Sequence, residues 1–339
     1  MKTLFELVSP YESVSFIGMC KNAGKTTTFN QLIAELRQNG VSFAATSVGR
    51  DGESTDLVTN TVKPGIFVYK GTVIATAAEL LKYCDITKEI LRTTGIHTPM
   101  GEIVVLRALS DGFVQLAGPS ITTQLSEISE DFRRLGSQKI LIDGALGRKS
   151  LCSKKVSQST ILCTGASYHK DMRQVVRDTA YICELLQLPQ AEIEVEEEIW
   201  NQSSCKYIPV WENEEISLPE EKITPEKIWR KGQEHTPQRI IVQGGLTDAM
   251  VKSLMMSNAD LSGKKMVFKD GSKILISYDM YEKLRIKGLN FEVADAIRLL
   301  AVTINPFSAY GFHFDKDSFM EQMQSAIDVP VLNVRDMKK

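Results

Sequence analysis

Strand-like and helix-like segments alternate along the first half of the chain. Short runs of largely apolar residues occur at 14–17, 139–142 and 160–164, and this length is typical of strands buried on both faces of a parallel sheet. Segments 27–38 and 121–135 instead repeat their apolar residues at helical spacing. The pattern therefore predicts an α/β fold with a mostly parallel sheet.

Two tight-turn signals interrupt this alternation and predict inserted β-hairpins. Asp111-Gly112 is a strong hairpin turn, and Lys70-Gly71 lies between two further strand-like segments. The segments that we expect to pair are 66–69 with 72–75, and 103–109 with 113–117. We also expect a second strand of the sheet at 41–48 and a short helix at 76–83.

The composition changes between about residues 190 and 237, where five glutamates cluster and four prolines follow. Such a stretch is typical of a domain boundary, with the acids on a solvated face. We therefore predict an N-terminal domain at 1–189, an acidic, proline-containing linker region at 190–237 and a smaller C-terminal α/β domain at 238–339. Strands at 239–243 and 301–304 support the last assignment.

Composition and charge narrow the range of partners. The chain has 339 residues, 43% hydrophobic and 24% charged, with a net charge of −2, so we expect a globular protein without a nucleic-acid footprint. No apolar run approaches the roughly 18–20 residues of a membrane span, and the N-terminus lacks the apolar core of a signal peptide. The six cysteines are scattered without metal-ligand spacing. We expect a cytoplasmic protein with reduced thiols and no membrane partner.

The first strand-like run leads into a candidate phosphate-binding loop. Gly24-Lys25-Thr26 follows residues 14–17 and precedes the helical segment 27–38, which is the strand–loop–helix order of a P-loop. Gly24 allows close approach of the backbone to a phosphate, Lys25 is placed to bridge the outer phosphates, and the Thr26 hydroxyl is suited to Mg²⁺. The predicted nucleotide-binding residues are Asn22, Ala23, Gly24, Lys25, Thr26 and Thr27. The alternative interpretation is an ordinary helix that happens to begin with Gly-Lys-Thr.

The loop departs from the standard P-loop pattern at one position. That pattern has glycine five residues before the second glycine, where this chain has Met19, and Gly18 comes one residue too early. We therefore expect a phosphate loop of relaxed spacing.

A second part of the candidate site comes from a later strand. The apolar run 139–142 ends at Asp143, and a carboxylate at the end of a strand beside a P-loop can hold Mg²⁺ directly or through water. We predict that Thr26 and Asp143 are the metal ligands and that Lys25 and Asp143 act in catalysis. The alternative for Asp143 is a plain strand terminus. Basic residues follow the strand, and one of them could neutralise a transferring phosphoryl group, or they form a solvated loop; they are Arg148, Lys149, Lys154 and Lys155.

Two acids follow the second predicted strand. Asp51 and Glu53 flank Gly52 after residues 41–48, at the edge of the sheet where α/β proteins bind ligands. We predict that they position Mg²⁺ or an attacking water, while a solvated acidic loop is the alternative. Because no Asn-Lys-x-Asp element for guanine occurs, the sequence favours ATP with Mg²⁺.

Three stretches, at residues 16–27, 142–150 and 302–308, resemble a bacterial family within the P-loop NTPases. That family is identified as the smaller subunit of the lysine 5,6-aminomutase reactivase. The resemblance implies an accessory role in which ATP drives replacement of damaged cobalamin in the aminomutase. It also implies two partners, a larger reactivase ATPase subunit and the aminomutase itself. Gly24, Lys25, Thr26 and Asp143 would then handle ATP–Mg²⁺.

Two other functions fit the same motifs. Gly-Lys-Thr-Thr-Thr also occurs in Mur-type amide ligases, and small-molecule kinases end their phosphate loops similarly, so the C-terminal region would then carry a second substrate. The third interpretation is a binding module that senses nucleotide without turnover, which the Met19 departure leaves open.

Overall fold

The computed structural model describes residues 2–49, 65–144, 157–201, 205–211, 216, 218–219, 223–233, 235–333 and 336. The strands are β1 (Ser13–Gly18), β2 (Phe43–Ser47), β3 (Ile66–Val68), β4 (Val73–Ala77), β5 (Lys88–Thr98), β6 (Gly101–Ala108), β7 (Gly112–Val114), β8 (Lys139–Asp143), β9 (Ser159–Gly165), β10 (Tyr207–Val210), β11 (Arg239–Val242), β12 (Leu246–Thr247), β13 (Lys265–Phe268), β14 (Ile274–Leu275), β15 (Asn290–Val293), β16 (Leu299–Asn305) and β17 (Val331–Asn333). The helices are α1 (Leu4–Val8), α2 (Lys25–Gln38), α3 (Thr122–Arg134), α4 (Met172–Leu186), α5 (Glu197–Asn201), α6 (Pro225–Ile228), α7 (Asp248–Met256), α8 (Tyr278–Ile286) and α9 (Lys316–Ala326).

A nine-stranded sheet has the order β17-β16-β9-β1-β8-β2-β4-β6-β5. The seven strands from β17 to β4 are parallel, and β6 and β5 continue the sheet in antiparallel pairing. Every residue of β1, β2 and β9 is buried, as expected where both faces of a parallel sheet are covered. The predicted α/β fold with a mostly parallel sheet is confirmed at this level.

Helix α2 follows β1 and packs through one apolar face. Phe29, Leu32, Ile33 and Leu36 recur at i, i+3, i+4 and i+7 and are almost completely buried, which is the spacing of a helix with one face on a core. Phe29 also meets Phe16 of β1 edge to face, with ring centroids 4.9 Å apart. This packing fixes the start of α2 relative to the end of β1.

The two predicted hairpins are wrong in their pairing. β3 pairs with β7, whereas β4 pairs with β2 and β6. The hairpin in this region is instead β5–β6, which closes between Thr98 and Gly101 and which the sequence analysis did not predict. Alternating side chains specify which face of a strand is buried but not which strand lies beside it, so the turn signals were assigned to the wrong pairs. The predicted helix at 76–83 is a 3₁₀ segment at Ala78–Tyr83.

The chain divides into two compact units, Met1–Ala180 with Arg298–Lys339, and Tyr181–Ile297. These bounds differ from the predicted ones because residues 298–339, predicted to belong to a C-terminal domain, contribute β16 and β17 to the nine-stranded sheet. The predicted linker 190–237 contains β10, which pairs with β11. Strands that are distant in sequence can neighbour each other in a parallel sheet, and sequence patterns do not reveal such insertions.

The second unit has its own small sheet, in the order β10-β11-β13-β15. β11, β13 and β15 are parallel, and β10 is antiparallel. The buried carboxylate of Glu292 accepts from Arg239 at 3.2 Å and from Lys265 at 2.5 Å. Because Lys265 lies on the neighbouring strand β13 and Arg239 on the next strand, β11, the buried charge is compensated within the sheet.

Candidate functional site

The carboxyl ends of the parallel strands gather the predicted site residues at one edge of the large sheet. β1 lies between β8 and β9, and the chain leaves β1 towards β2 on one side but leaves β8 towards β9 on the other. Ligands of open α/β sheets bind outside the carboxyl ends of strands at such a reversal. The end of β1 is therefore the expected position of a binding site.

The 18–25 loop, residues 18–25, connects β1 to α2. Gly24 is the N-cap of α2 with φ of 90°, and Asn22 also has a positive φ, of 61°. The first bond within the helix runs from the Thr28 amide to the Gly24 carbonyl at 2.9 Å, so the amides of the preceding turn have no acceptor inside the helix. These amides and the positive end of the helix dipole suit an anion. The left-handed Asn22 was not predicted, although asparagine is among the residues that tolerate this conformation.

Lys25 and Asp143 meet across the ends of neighbouring strands. The Lys25 Nζ lies 2.8 Å from the Asp143 Oδ1, and the same amine also donates to the Gly144 carbonyl. Only 18% of the Lys25 side chain and 13% of the Asp143 side chain are exposed, so the attraction is stronger than in a surface pair. The structure thus brings together two of the four residues for which the sequence predicts catalytic roles.

The backbone of Asp143 is held from both neighbouring strands. Its carbonyl accepts from the Val48 amide at 2.9 Å and from the Ser47 hydroxyl at 3.0 Å. The next amide, of Gly144, donates to the Phe16 carbonyl at 2.9 Å. The carboxylate therefore projects from a firmly positioned strand end, which is a requirement for a metal-ligating or catalytic group.

Asn305, at the end of β16, connects to the 18–25 loop. Its side-chain Nδ2 donates to the Asn22 carbonyl at 3.0 Å, and its Oδ1 accepts from the backbone amide of Phe307 at 3.2 Å. β16 reaches this position beside β9 because Gly165 has no side chain, since a Cβ there would lie 2.5 Å from the Asn305 carbonyl oxygen. This contact was not predicted, because the sequence pattern assigns β16 to a separate C-terminal domain. The run of apolar residues that ends at Asn305 was the available signal.

Buried hydroxyl and thiol groups lie beneath the loop. Thr28 and Thr303 share a hydrogen bond of 3.0 Å, and the Cys163 Sγ lies 3.8 Å from the Thr28 hydroxyl. Burial raises the pKa of Cys163 to about 11, although hydrogen bonds from Thr303 and Thr28 oppose the shift. Burial also raises the pKa of Cys20, within the loop, to about 12. Since the thiolate is the reactive form, the raised pKa values disfavour a reactive thiol at either position.

The remaining predicted residues divide into two groups. Thr26 and Thr27 lie half-buried in the first turn of α2, and Ala23 is 2% exposed. The predicted Asp51 and Glu53, and the basic residues Arg148, Lys149, Lys154 and Lys155, lie outside the described residues.

The donor groups suit Mg²⁺ bound with phosphates rather than a metal held by protein alone. Within the described part of the chain, no three His, Cys, Asp or Glu side chains are grouped to hold a metal ion. Mg²⁺ in nucleotide sites commonly takes one or two protein oxygens and completes its shell with phosphates and water. A single carboxylate at Asp143 and the hydroxyl of Thr26 fit that requirement.

Among the described helices, none is both long and apolar enough to cross a membrane.

Comparison of the chain with protein-family models, with curated proteins and with solved structures found no match.

Proposed function

We propose that this chain binds ATP–Mg²⁺ at the 18–25 loop and is a P-loop nucleotide-binding protein. The observation that carries the proposal is the 2.8 Å pair between the Lys25 Nζ and the Asp143 Oδ1. It places a cation and a carboxylate at the start of a helix whose N-cap, Gly24, is left-handed and provides no side-chain cap. A nucleotide bound with Mg²⁺ needs amides and an ammonium group for its phosphates and a carboxylate for the metal.

In this proposal each group has a separate role. The first amides of α2 bind phosphate oxygens, and Lys25 turns from Asp143 towards the outer phosphates as the nucleotide enters. Asp143 and the Thr26 hydroxyl hold the metal, whose charge offsets that of the phosphates when it is bound. The phosphates thus replace Asp143 as the partner of Lys25, and the metal replaces Lys25 as the partner of Asp143. The binding of nucleotide and the binding of metal should therefore be coupled.

Asp143→Asn tests this coupling. We expect the variant to lose most of the Mg²⁺ dependence of ATP affinity, with about a ten-fold weaker Kd at saturating Mg²⁺ because a charged metal ligand is replaced by a neutral one. Titration calorimetry with ATP, with and without Mg²⁺, measures the effect. Asp328→Asn is the control, because Asp328 is exposed and precedes β17. It therefore lies at the amino ends of the parallel strands, whereas the candidate site lies at their carboxyl ends. An Asp143→Asn protein with the Mg²⁺ dependence of the parent chain would exclude the metal role.

For the cellular role we propose an accessory subunit of an ATP-dependent reactivase that restores a cobalamin-dependent lysine 5,6-aminomutase. The resemblance of residues 16–27, 142–150 and 302–308 to that family supports this role. We expect the tagged chain to co-purify with a larger ATPase subunit when the two are co-expressed. Together they should restore activity to inactivated aminomutase only when ATP and intact cobalamin are added. Full recovery of activity without this chain would contradict the role while leaving nucleotide binding unaffected.

A further inference from the structure

A cleft of about 440 Å³ opens beside the ends of β16 and β17. We call it the aromatic cleft; Phe307, His313, Phe314 and Asn333 are among its lining residues. Phe307 and His313 stack nearly parallel, with ring centroids 6.0 Å apart and planes inclined by 25°. The Phe307 side chain is nevertheless 41% exposed. An aromatic ring held by a neighbour yet still exposed can stack on a planar ligand.

The loop that carries Phe307 is closed by backbone hydrogen bonds within it. Phe307 and His313 form an antiparallel bridge, the Ser308 amide donates to the Phe312 carbonyl at 2.9 Å, and the Phe314 amide donates to the Pro306 carbonyl at 2.9 Å. These bonds close residues 306–314 into a narrow turn. Because little of this segment needs to be ordered on binding, the cleft is prepared for its ligand.

The Asn305 side chain joins the aromatic cleft to the 18–25 loop. The Asn305 Nδ2 donates to the Asn22 carbonyl, and the Asn305 Oδ1 accepts from the backbone amide of Phe307. Across the sheet, β16 is two strands from β1, which corresponds to about 10 Å. A ligand with phosphates at the start of α2 would need a body that extends past Asn22 by about this distance to meet Phe307. A nucleotide is such a molecule, because its planar base and its terminal phosphate lie at opposite ends.

We propose that the aromatic cleft binds the base of the nucleotide and that Phe307 stacks on it. The inference rests on the proposed function, since it assigns the second end of the same ligand. The contacts with the phosphates then contribute affinity that does not depend on the base. The contact with Phe307 contributes the affinity that depends on a heteroaromatic ring in the ligand. Asn305 positions Phe307 relative to the phosphate loop without contacting the base.

The test compares two ligands that share phosphates but differ in the base. Titration calorimetry on the full chain would measure the affinity for ATP and for inorganic tripolyphosphate, each with Mg²⁺. We expect Phe307→Ala to weaken ATP binding by about ten-fold, as loss of one base–aromatic stack does, and to change tripolyphosphate binding by less than about two-fold. Phe307→Trp should bind ATP about as tightly as the parent chain, because tryptophan retains an aromatic face that can stack on the base.

Tyr310→Ala is the matched control, because Tyr310 is a 60% exposed aromatic residue on the same loop and does not line the cleft. It should leave both affinities unchanged. Equal loss of ATP and tripolyphosphate binding in Phe307→Ala, or ATP affinity unchanged in that variant, would overturn the inference alone. A parent chain that binds neither ligand would overturn the phosphate-loop proposal and the base assignment together. Thermal unfolding of each variant excludes a folding defect as the cause of lost binding.

Discussion

Replacement of Lys25 by alanine or methionine is expected to reduce the affinity for ATP–Mg²⁺ on the order of 100-fold, which corresponds to about 3 kcal/mol. The Lys25 ammonium is the cation placed by α2 next to Asp143, at 2.8 Å. Its loss removes charge-assisted bonds to the phosphates and leaves the mostly buried carboxylate without this partner. Methionine retains the length of the side chain, so this variant separates loss of charge from loss of packing. Titration calorimetry measures the effect.

Lys21→Ala is the control for this prediction, since Lys21 is an exposed lysine in the same loop. It should change the affinity by less than about three-fold, as expected for a screened surface charge. Undiminished ATP affinity in Lys25→Ala would exclude the phosphate-loop proposal altogether. Because Lys25 and Asp143 are partners, the double variant Lys25→Met with Asp143→Asn should lose less than the sum of the two single losses. A strictly additive result would show that the pair does not act as a unit.

The parts of the site that are local in sequence could be predicted. The 18–25 loop follows a buried strand and begins a helix, and the strand that ends at Asp143 was predicted from its apolar run. Backbone geometry within a few residues follows from residue type and periodicity. The proximity of Lys25 to Asp143 was then predictable, because the carboxyl ends of parallel strands share one edge of a sheet.

The parts that depend on distant segments could not be predicted. Asn305 contacts Asn22 from 283 positions along the chain, and this contact exists only because β16 lies beside β9. Strand order depends on packing of the entire sheet, so the pattern of a single strand does not specify its neighbour. The same limit explains the wrong hairpin pairs and the predicted boundary at 238, since an inserted unit leaves no local signal.

Gly118→Ala is expected to destabilise the chain by about 3 kcal/mol or more. Gly118 comes directly after Ala117, whose backbone amide donates to the Thr76 hydroxyl. A Cβ at Gly118 would lie 1.9 Å from the Ser47 carbonyl oxygen and 2.9 Å from the Thr46 hydroxyl. The nearest atom belongs to the backbone of a central strand, so it cannot move aside by a change of rotamer. Urea denaturation followed by far-ultraviolet circular dichroism measures the free energy of unfolding.

Gly18→Ala is the control for stability, because Gly18 ends the central strand β1 but its added Cβ would meet nothing closer than the Cys20 carbonyl oxygen at 3.4 Å. We expect it to cost less than about 1 kcal/mol. The effect of Gly118→Ala should extend to binding, since the Ser47 hydroxyl donates to the Asp143 carbonyl and a displaced β2 would shift that carboxylate. Any folded Gly118→Ala protein should therefore bind ATP–Mg²⁺ more weakly than the parent chain. Equal stability of the two variants would show that the end of β2 yields to a methyl group and that Asp143 is held less firmly than its hydrogen bonds imply.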